Sequence, residues 1–121
     1  MDSISYLLSN IKNSSNNKLR FTFCKNLKQN IKILQILQKE SIITGFLIGK
    51  QTIKIFINLK INNLNIKKIS KPSNKVYLKS TQLNLINQGT GFFILSTNKG
   101  LLTDAKARVF KKGGEVICQI Y

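Results

Sequence analysis

The sequence of 121 residues has no histidine, only two cysteines and only four acidic residues. Without histidine it lacks the side chain that most often performs general acid–base catalysis near neutral pH. Cys24 and Cys118 lie far apart and form no C-x-x-C pair, which excludes zinc fingers and a disulfide framework. Four carboxylates leave little for paired-carboxylate or metal-hydrolysis schemes. The inventory therefore predicts a protein that is not an enzyme and uses no metal or cofactor.

Long apolar runs are also absent, since none approaches the 18 residues that would indicate a membrane span. The N-terminal segment is amphipathic and rich in serine, like some transit peptides, but it contains Asp2 and no arginine. We expect it to form the first helix of the fold instead. Neither a membrane nor a small-molecule substrate is expected as a partner.

The charge is strongly unbalanced, because 20 lysines and arginines face four acids and give a formal net charge of +16. Self-repulsion on this scale weakens a compact state unless a polyanion neutralises it, and nucleic acid is the commonest polyanion. The alternative is a solvated surface inflated by AT-rich codons. Ile, Lys and Asn are abundant, whereas Arg occurs only at Arg20 and Arg108. Codon bias exchanges Arg for Lys, but it does not explain the scarcity of acids.

The first half of the chain predicts the order helix, strand, helix, strand, strand. Apolar residues at helical spacing indicate a first helix of about ten residues, and the composition of 13–17 indicates a loop. Alternation then predicts a strand with one basic face. A helical stripe ends near Glu40, and a hairpin spans 42–61. The helix is predicted from the spacing of Ile4, Leu7, Leu8 and Ile11. The strand is predicted from Leu19, Phe21 and Phe23, which alternate with Lys18, Arg20 and Thr22.

A shift in composition at 62–65 predicts a boundary between two subdomains. The pattern of the second half predicts short strands at 67–70 and 76–78, one helical turn at 81–86 and an apolar strand at 92–95. A brief helix at 104–108 and a final strand at 115–121 follow. The expected fold is α+β, with two tightly packed subdomains: 1–64, with the order α-β-α-β-β, and 65–121, mainly antiparallel β with a short helix.

The segment Ser96-Thr97-Asn98-Lys99-Gly100 lies between two apolar stretches and is rich in short hydrogen-bonding side chains. RNA is commonly read through its shape, its 2′-hydroxyls and its unstacked bases. Hydroxyl, amide and backbone N–H groups suit that task, Lys99 can neutralise a phosphate, and Tyr77 can stack on a base. The alternative is an ordinary turn whose hydroxyls satisfy its own backbone. The segment alone leaves both interpretations open.

Three segments resemble the small-subunit ribosomal protein eight family. The run 91–108, read as G-x-x-I-L-S-T-x-x-G-L-L-x-x-x-x-A-R, is similar to the family signature. Lys68-Ile-Ser-Lys-Pro72 with Tyr77 resembles a second family segment, and Gly113-Gly-Glu-Val-Ile-Cys118 resembles the family's ending. Weaker similarity in the N-terminal half extends the resemblance over essentially the whole chain.

The resemblance implies an α+β fold of two closely associated subdomains and a structural, non-catalytic role. It implies binding to the central domain of the small-subunit rRNA, which the protein helps to assemble and stabilise. Neighbouring small-subunit proteins, notably the fifth, are the implied protein partners. The rRNA-binding residues that it implies form a main loop, flanking contacts and a contact on the first helix: Ser96, Thr97, Asn98, Lys99 and Gly100; Ser70, Lys71 and Tyr77; and Ser9, Lys12 and Asn13.

Three positions depart from the family pattern, and the first strand also lacks the family's usual proline. Asn98 replaces the usual serine in the loop, Ser73 replaces a glycine, and Lys75 replaces an arginine. Because lysine lacks the planar fork of arginine, a bidentate phosphate contact at Lys75 would be weakened or lost.

The AT-rich composition predicts an organelle-encoded protein of the mitochondrial matrix, with a plastid-type organelle or an AT-rich bacterium as alternatives. Two other functions remain open from sequence. One is a basic assembly or scaffold module that binds proteins or anionic membranes, and the other is an RNA-modifying enzyme. Co-sedimentation with the small subunit would separate the first alternative from the ribosomal role.

Overall fold

A computed structural model describes residues 3–61, 63–70, 74–79 and 91–121. The chain forms two compact units, Met1–Leu64 and Asn65–Tyr121. In the described residues no helix is long and apolar enough to cross a membrane. The mixed α+β class predicted from sequence is confirmed, with three helices and two antiparallel sheets in this part of the chain. The assignment of separate subdomains stays a prediction.

The first unit has the predicted order. It contains helix α1 (Ser3–Asn16), strand β1 (Phe21–Lys25), helix α2 (Lys28–Lys39), strand β2 (Ile43–Ile48) and strand β3 (Thr52–Ile57). The three strands form an antiparallel sheet in the order β1-β3-β2. Because β3 pairs with both β1 and β2, it lies in the centre of the sheet, and its alternate isoleucines are buried. The buried residues of this core are Leu7, Leu8, Ile11, Ile33, Leu34, Leu37, Ile43, Ile53, Ile55 and Ile57.

Helix α1 is longer than the sequence predicts. The segment 13–17 was expected to be a loop, but the helix continues to Asn16 because Ser14 and Ser15 are buried in the core. Their small side chains fit where the helix packs closely. The Asn16 side chain then donates to the Leu64 carbonyl and accepts from the Leu64 N–H, both at 3.1 Å. Lys18, with φ 57°, follows the end of the helix.

The faces of β1 are the reverse of those expected. Cys24 is buried, whereas Phe21 and Phe23 are 45% and 49% exposed. The cause is the pairing with β3, in which Cys24 lies opposite the core residue Ile53 and Phe23 lies opposite Lys54. Directly opposed residues share a face of the sheet, so both phenylalanines lie on the side away from the core isoleucines. The predicted basic face is therefore wrong.

The second unit is mainly antiparallel β. It contains β4 (Ile66–Lys68), β5 (Tyr77–Leu78), β6 (Phe92–Thr97), β7 (Gly100–Thr103), helix α3 (Asp104–Phe110) and β8 (Gly114–Ile120). In the sheet β8 pairs with β4, β5 and β6, and β6 also pairs with β7. The predicted helical turn at 81–86 lies outside the described residues.

Helix α3 closes one side of this sheet over a small apolar core. Thr103 is its N-cap and accepts a hydrogen bond from the Lys106 N–H at 3.4 Å. The helix continues to Phe110, two residues beyond its predicted end, and Lys111 terminates it in the left-handed conformation. Its buried residue Ala107 packs in a cluster with residues of β6 and β8, namely Phe93, Leu95 and Val116.

Candidate nucleic-acid interface

The hydrogen-bonding segment predicted from sequence forms the tip of the β6–β7 hairpin. Thr97 pairs with Gly100 across it, so Asn98 and Lys99 make the turn. Gly100 has φ 100°, a backbone conformation that residues other than glycine rarely adopt. Behind the tip, Ile94 and Leu95 are fully buried. The hairpin tip, defined as 96–100, is therefore fixed to a packed sheet.

The two hydroxyls of the hairpin tip have different roles. The Thr97 hydroxyl donates to the Gly100 carbonyl at 2.9 Å and accepts from the Lys99 N–H at 3.2 Å. It thus stabilises the turn in the way that the alternative interpretation anticipated. Ser96 is exposed, and nothing in the described part of the chain hydrogen-bonds its hydroxyl. Ser96 is therefore the hydroxyl of the tip that can meet a ligand without breaking the turn.

Asn98 and Lys99 are both exposed at the turn. The Lys99 ammonium lies 4.8 Å from the centroid of the Phe110 ring, which is 47% exposed at the end of α3. The ring holds the ammonium beside the tip by a cation–π contact. Phe110 was not anticipated, because the helix was predicted to end at 108; the exposed aromatic two residues later was the available signal.

Tyr77 lies on the same face of the sheet as Ser96. Both residues pair with Glu115 of β8, one from β5 and the other from β6. Opposed residues share a face, and two strand spacings separate Tyr77 from Ser96 by about 10 Å. The tyrosine is 64% exposed, so its ring is available for stacking. A partner that spans this distance meets an aromatic ring, a carboxylate and a hydroxyl in a row.

Ser70 has a different environment from the other predicted contacts. It is 5% exposed, and its hydroxyl donates to the Val116 carbonyl and accepts from the Val76 N–H at 3.0 Å. These bonds tie the chain before β5 to β8. The geometry favours a positioning role for Ser70, and the direct contact with RNA stays a prediction. Lys71 lies outside the described residues.

The predicted contacts on α1 lie on its exposed side. Ser9 and Asn13 are exposed and Lys12 is half-buried, at spacings that place them away from the buried residues of the helix. Tyr6, which is 56% exposed, lies one turn before Ser9 on that side. It too was not anticipated, because the resemblance implied only Ser9, Lys12 and Asn13 as contacts on this helix.

Few carboxylates balance the positive charge of the described residues. Asp104 is 1% exposed and its Oδ2 lies 3.3 Å from the Arg108 guanidinium, so this acid is paired inside the second unit. Among the described residues Glu40 and Glu115 are the remaining acids. The exposed lysines are therefore largely uncompensated within the chain, which favours a polyanionic partner.

Cys24 and Cys118 are both free and buried in the core. Burial raises the pKa of Cys24 to about 11 and that of Cys118 to about 12. Neutral thiols are weak ligands and weak nucleophiles. Among the described residues no group of three or more His, Cys, Asp or Glu side chains could hold a metal ion.

Comparison with known proteins agrees with the resemblance seen in the motifs. The family model for ribosomal protein S8 matches residues 2–121. Small ribosomal subunit protein uS8c of Tetradesmus obliquus is 34% identical over 133 residues, which cover 99% of this chain and 98% of that protein. Small ribosomal subunit protein uS8 of Mesomycoplasma hyopneumoniae (strain 7448) is 37% identical over 126 residues, covering 99% and 96%. The uS8 protein of Persephonella marina is 35% identical over 133 residues, covering 99% and 98%. This chain therefore belongs to the ribosomal protein S8 family.

Proposed function

We propose that the protein is a structural, non-catalytic constituent of the small ribosomal subunit that binds the central domain of its rRNA. The observation that carries this proposal is the hairpin tip, a rigid turn with an exposed hydroxyl, an amide and an ammonium on a molecule of net charge +16. RNA offers matching groups in its 2′-hydroxyls, base edges and phosphates. Family membership supports the same role.

In this proposal the hairpin tip makes the principal contact. Ser96 hydrogen-bonds the RNA directly, and Thr97 keeps the turn in shape through its two internal bonds. Asn98 supplies a donor and an acceptor in place of the family's usual serine, and Lys99 pairs with a phosphate. Gly100 provides the backbone conformation that the turn requires.

Flanking contacts come from the face that Ser96 and Tyr77 share. Tyr77 stacks on a base or packs on a sugar at the far side of Glu115. Lys71 is proposed as a phosphate contact, and Ser70 as the residue that holds the adjoining chain in place.

The exposed side of α1 is proposed as a second contact with the rRNA. Ser9, Lys12 and Asn13 offer a hydroxyl, an ammonium and an amide within about one turn of helix. We further propose that the boundary after residue 64 divides the protein functionally: 1–64 is an α/β subdomain with this contact, and 65–121 is the main rRNA-binding subdomain.

The protein partners and the compartment are finer parts of the proposal. Neighbouring small-subunit proteins, with the fifth among them, are the proposed protein partners. The ribosome of an organelle or of a bacterium fits the relatives found, and the AT-rich composition leads us to propose the mitochondrial matrix. The A+T content of the coding sequence and the genome that carries it would test the compartment.

The function is tested by binding and by co-sedimentation. The protein should bind a transcript of the central domain at physiological salt much more tightly than an unrelated RNA of equal length, because nonspecific binding is limited to a Kd of about 10⁻⁴ to 10⁻⁶ M. It should also travel with the small subunit through a moderate salt wash. Equal affinity for both RNAs, or loss at the first wash, would favour the scaffold alternative.

A further inference from the structure

The open side of the three-stranded sheet carries an aromatic and cationic surface that the hairpin tip does not explain. We define this Phe–Lys face by the residues that share it: Phe21, Phe23, Lys25, Leu47, Lys54 and Phe56. The set follows from the register, since opposed residues and alternate residues along a strand lie on one face. Phe21, Phe23 and Leu47 are 45%, 49% and 63% exposed.

Two of the three rings of this face contact one ammonium group. The Lys54 Nζ lies 4.3 Å from the centroid of the Phe21 ring and 5.4 Å from that of Phe56. Phe21 and Phe23 meet edge to face, with centroids 5.6 Å apart and an interplanar angle of 81°. The contacts order the rings while leaving nearly half of Phe21 and Phe23 open to solvent.

We propose that the Phe–Lys face binds an unpaired segment of RNA, whose bases stack on Phe21 and Phe23 and whose phosphates pair with Lys54 and Lys25. Because RNA is also the ligand in the proposed function, this site rests on that function, but its residues belong to the first unit and those of the hairpin tip to the second. Exposed aromatics beside cations are the groups that sequence-tolerant single-strand binding uses.

Charge complementarity decides between RNA and an apolar protein surface as the occupant. Covering the face with apolar groups would strip water from the Lys54 ammonium without supplying a counter-charge, which is costly. No carboxylate belongs to the face, and Glu40 is the one acid among the described residues of the first unit. A phosphate backbone brings the missing negative charge together with planar groups for the rings.

The test uses the full chain and a fluorescent oligouridine of about eight nucleotides, within the range of known single-strand site sizes. The double variant Phe21→Leu/Phe23→Leu keeps the charge and the apolar bulk but removes the two exposed rings. Its control is Ile48→Ser, since Ile48 is 55% exposed on the same sheet but follows Leu47 and so points to the other face. Circular dichroism verifies that each variant is folded.

The double variant should bind the oligouridine about fivefold more weakly or worse, since stacking on one aromatic is worth at least that factor. Ile48→Ser should bind it like the wild type, and ultraviolet cross-linking should map to Phe21 or Phe23. Equal affinity of the double variant and the wild type would overturn the proposal. The proposal would also be overturned if the double variant bound the oligouridine normally but no longer bound a neighbouring ribosomal protein, because the face would then be a protein contact. The role of the hairpin tip is tested separately, by the affinity of Ser96→Ala for the central-domain transcript. The failure of one proposal is therefore distinguishable from the failure of the other.

Discussion

Gly114 lies directly against the backbone of Ser96: a Cβ atom at Gly114 would fall 2.1 Å from the Ser96 carbonyl oxygen and 3.2 Å from the Thr97 Cα. The start of β8 therefore packs beneath the residues that form the proposed contact. This relationship connects two motifs that are separate in the sequence, the Gly-Gly ending and the hairpin tip. The glycine allows β6 and β8 to approach closely, and the approach fixes the position of Ser96.

Gly114→Ala should therefore disturb both stability and binding. The added methyl group must displace backbone, and overpacking of this kind typically costs about 1–3 kcal/mol in the free energy of unfolding. Urea denaturation measures that cost, and affinity for the central-domain transcript should fall as well. Gly45→Ala is the matched control, because its Cβ would meet only the Gln38 side chain at 4.0 Å. If both variants had the same stability, the close packing of Gly114 against Ser96 would be contradicted.

Lys111→Gly should stabilise the protein. Lys111 ends α3 with φ 54° and ψ 44°, a left-handed conformation that costs a residue with a side chain about 1–2 kcal/mol and costs glycine almost nothing. Part of the gain is offset by the greater freedom of glycine in the unfolded chain, so we expect a net gain of about 0.5–1 kcal/mol. Lys112→Gly removes the same charge without relieving a positive φ and should not be stabilising. A lower melting temperature for Lys111→Gly would contradict the assigned cap.

The native thiols should react slowly with a disulfide reagent at pH 8. With a pKa near 12, the thiolate fraction of Cys118 is about 10⁻⁴, and that of Cys24 is about tenfold larger. Cys24 should therefore react first, and both should react quickly in urea. Since burial favours the neutral thiol, its contribution to stability is complete below the ordinary value of 9.0 and is lost as the pH rises towards 11 and 12. Rapid labelling of Cys118 in the folded protein would show that it is not buried.

Lys99→Gln should reduce the salt dependence of binding to the central-domain transcript. If Lys99 pairs with one phosphate, the slope of log K against log salt should fall by about 0.7–0.9. The control is Lys39→Gln, which removes an exposed charge from the last turn of α2, remote in sequence from the hairpin tip. An unchanged slope for Lys99→Gln would remove Lys99 from the phosphate contacts.

Most of the element order could be predicted from the sequence, because strong local patterns determine it. The isoleucines of β3 alternate clearly, and Gly49-Lys-Gln51 marks the hairpin before them. The end of α1 could not be predicted, since the burial of Ser14 and Ser15 depends on tertiary packing, which the polar composition of 13–17 does not reveal. The reversed faces of β1 have the same origin: its pairing with β3 overrides its own apolar alternation.

The candidate site was predictable as a segment but not as a surface. The sequence identifies the residues of the hairpin tip, yet only the pairing of β5, β6 and β8 shows that Tyr77 and Ser96 share a face. The division of labour between Ser96 and Thr97 also depends on the geometry of the turn. The motif implied Ser70 as an RNA contact, but it could not show that the Ser70 hydroxyl is hydrogen-bonded inside the fold.

The most direct test of the central claim is the affinity of Ser96→Ala for the central-domain transcript, measured by filter binding at physiological salt. Loss of one hydroxyl that pairs with RNA should weaken binding by about 1–3 kcal/mol, roughly fivefold to more than a hundredfold. Gln35→Ala, on the exposed side of α2, should bind like the wild type, and affinity for an unrelated RNA of equal length should not change in either variant. A Ser96→Ala protein that is folded and binds the transcript as tightly as the wild type would contradict the account.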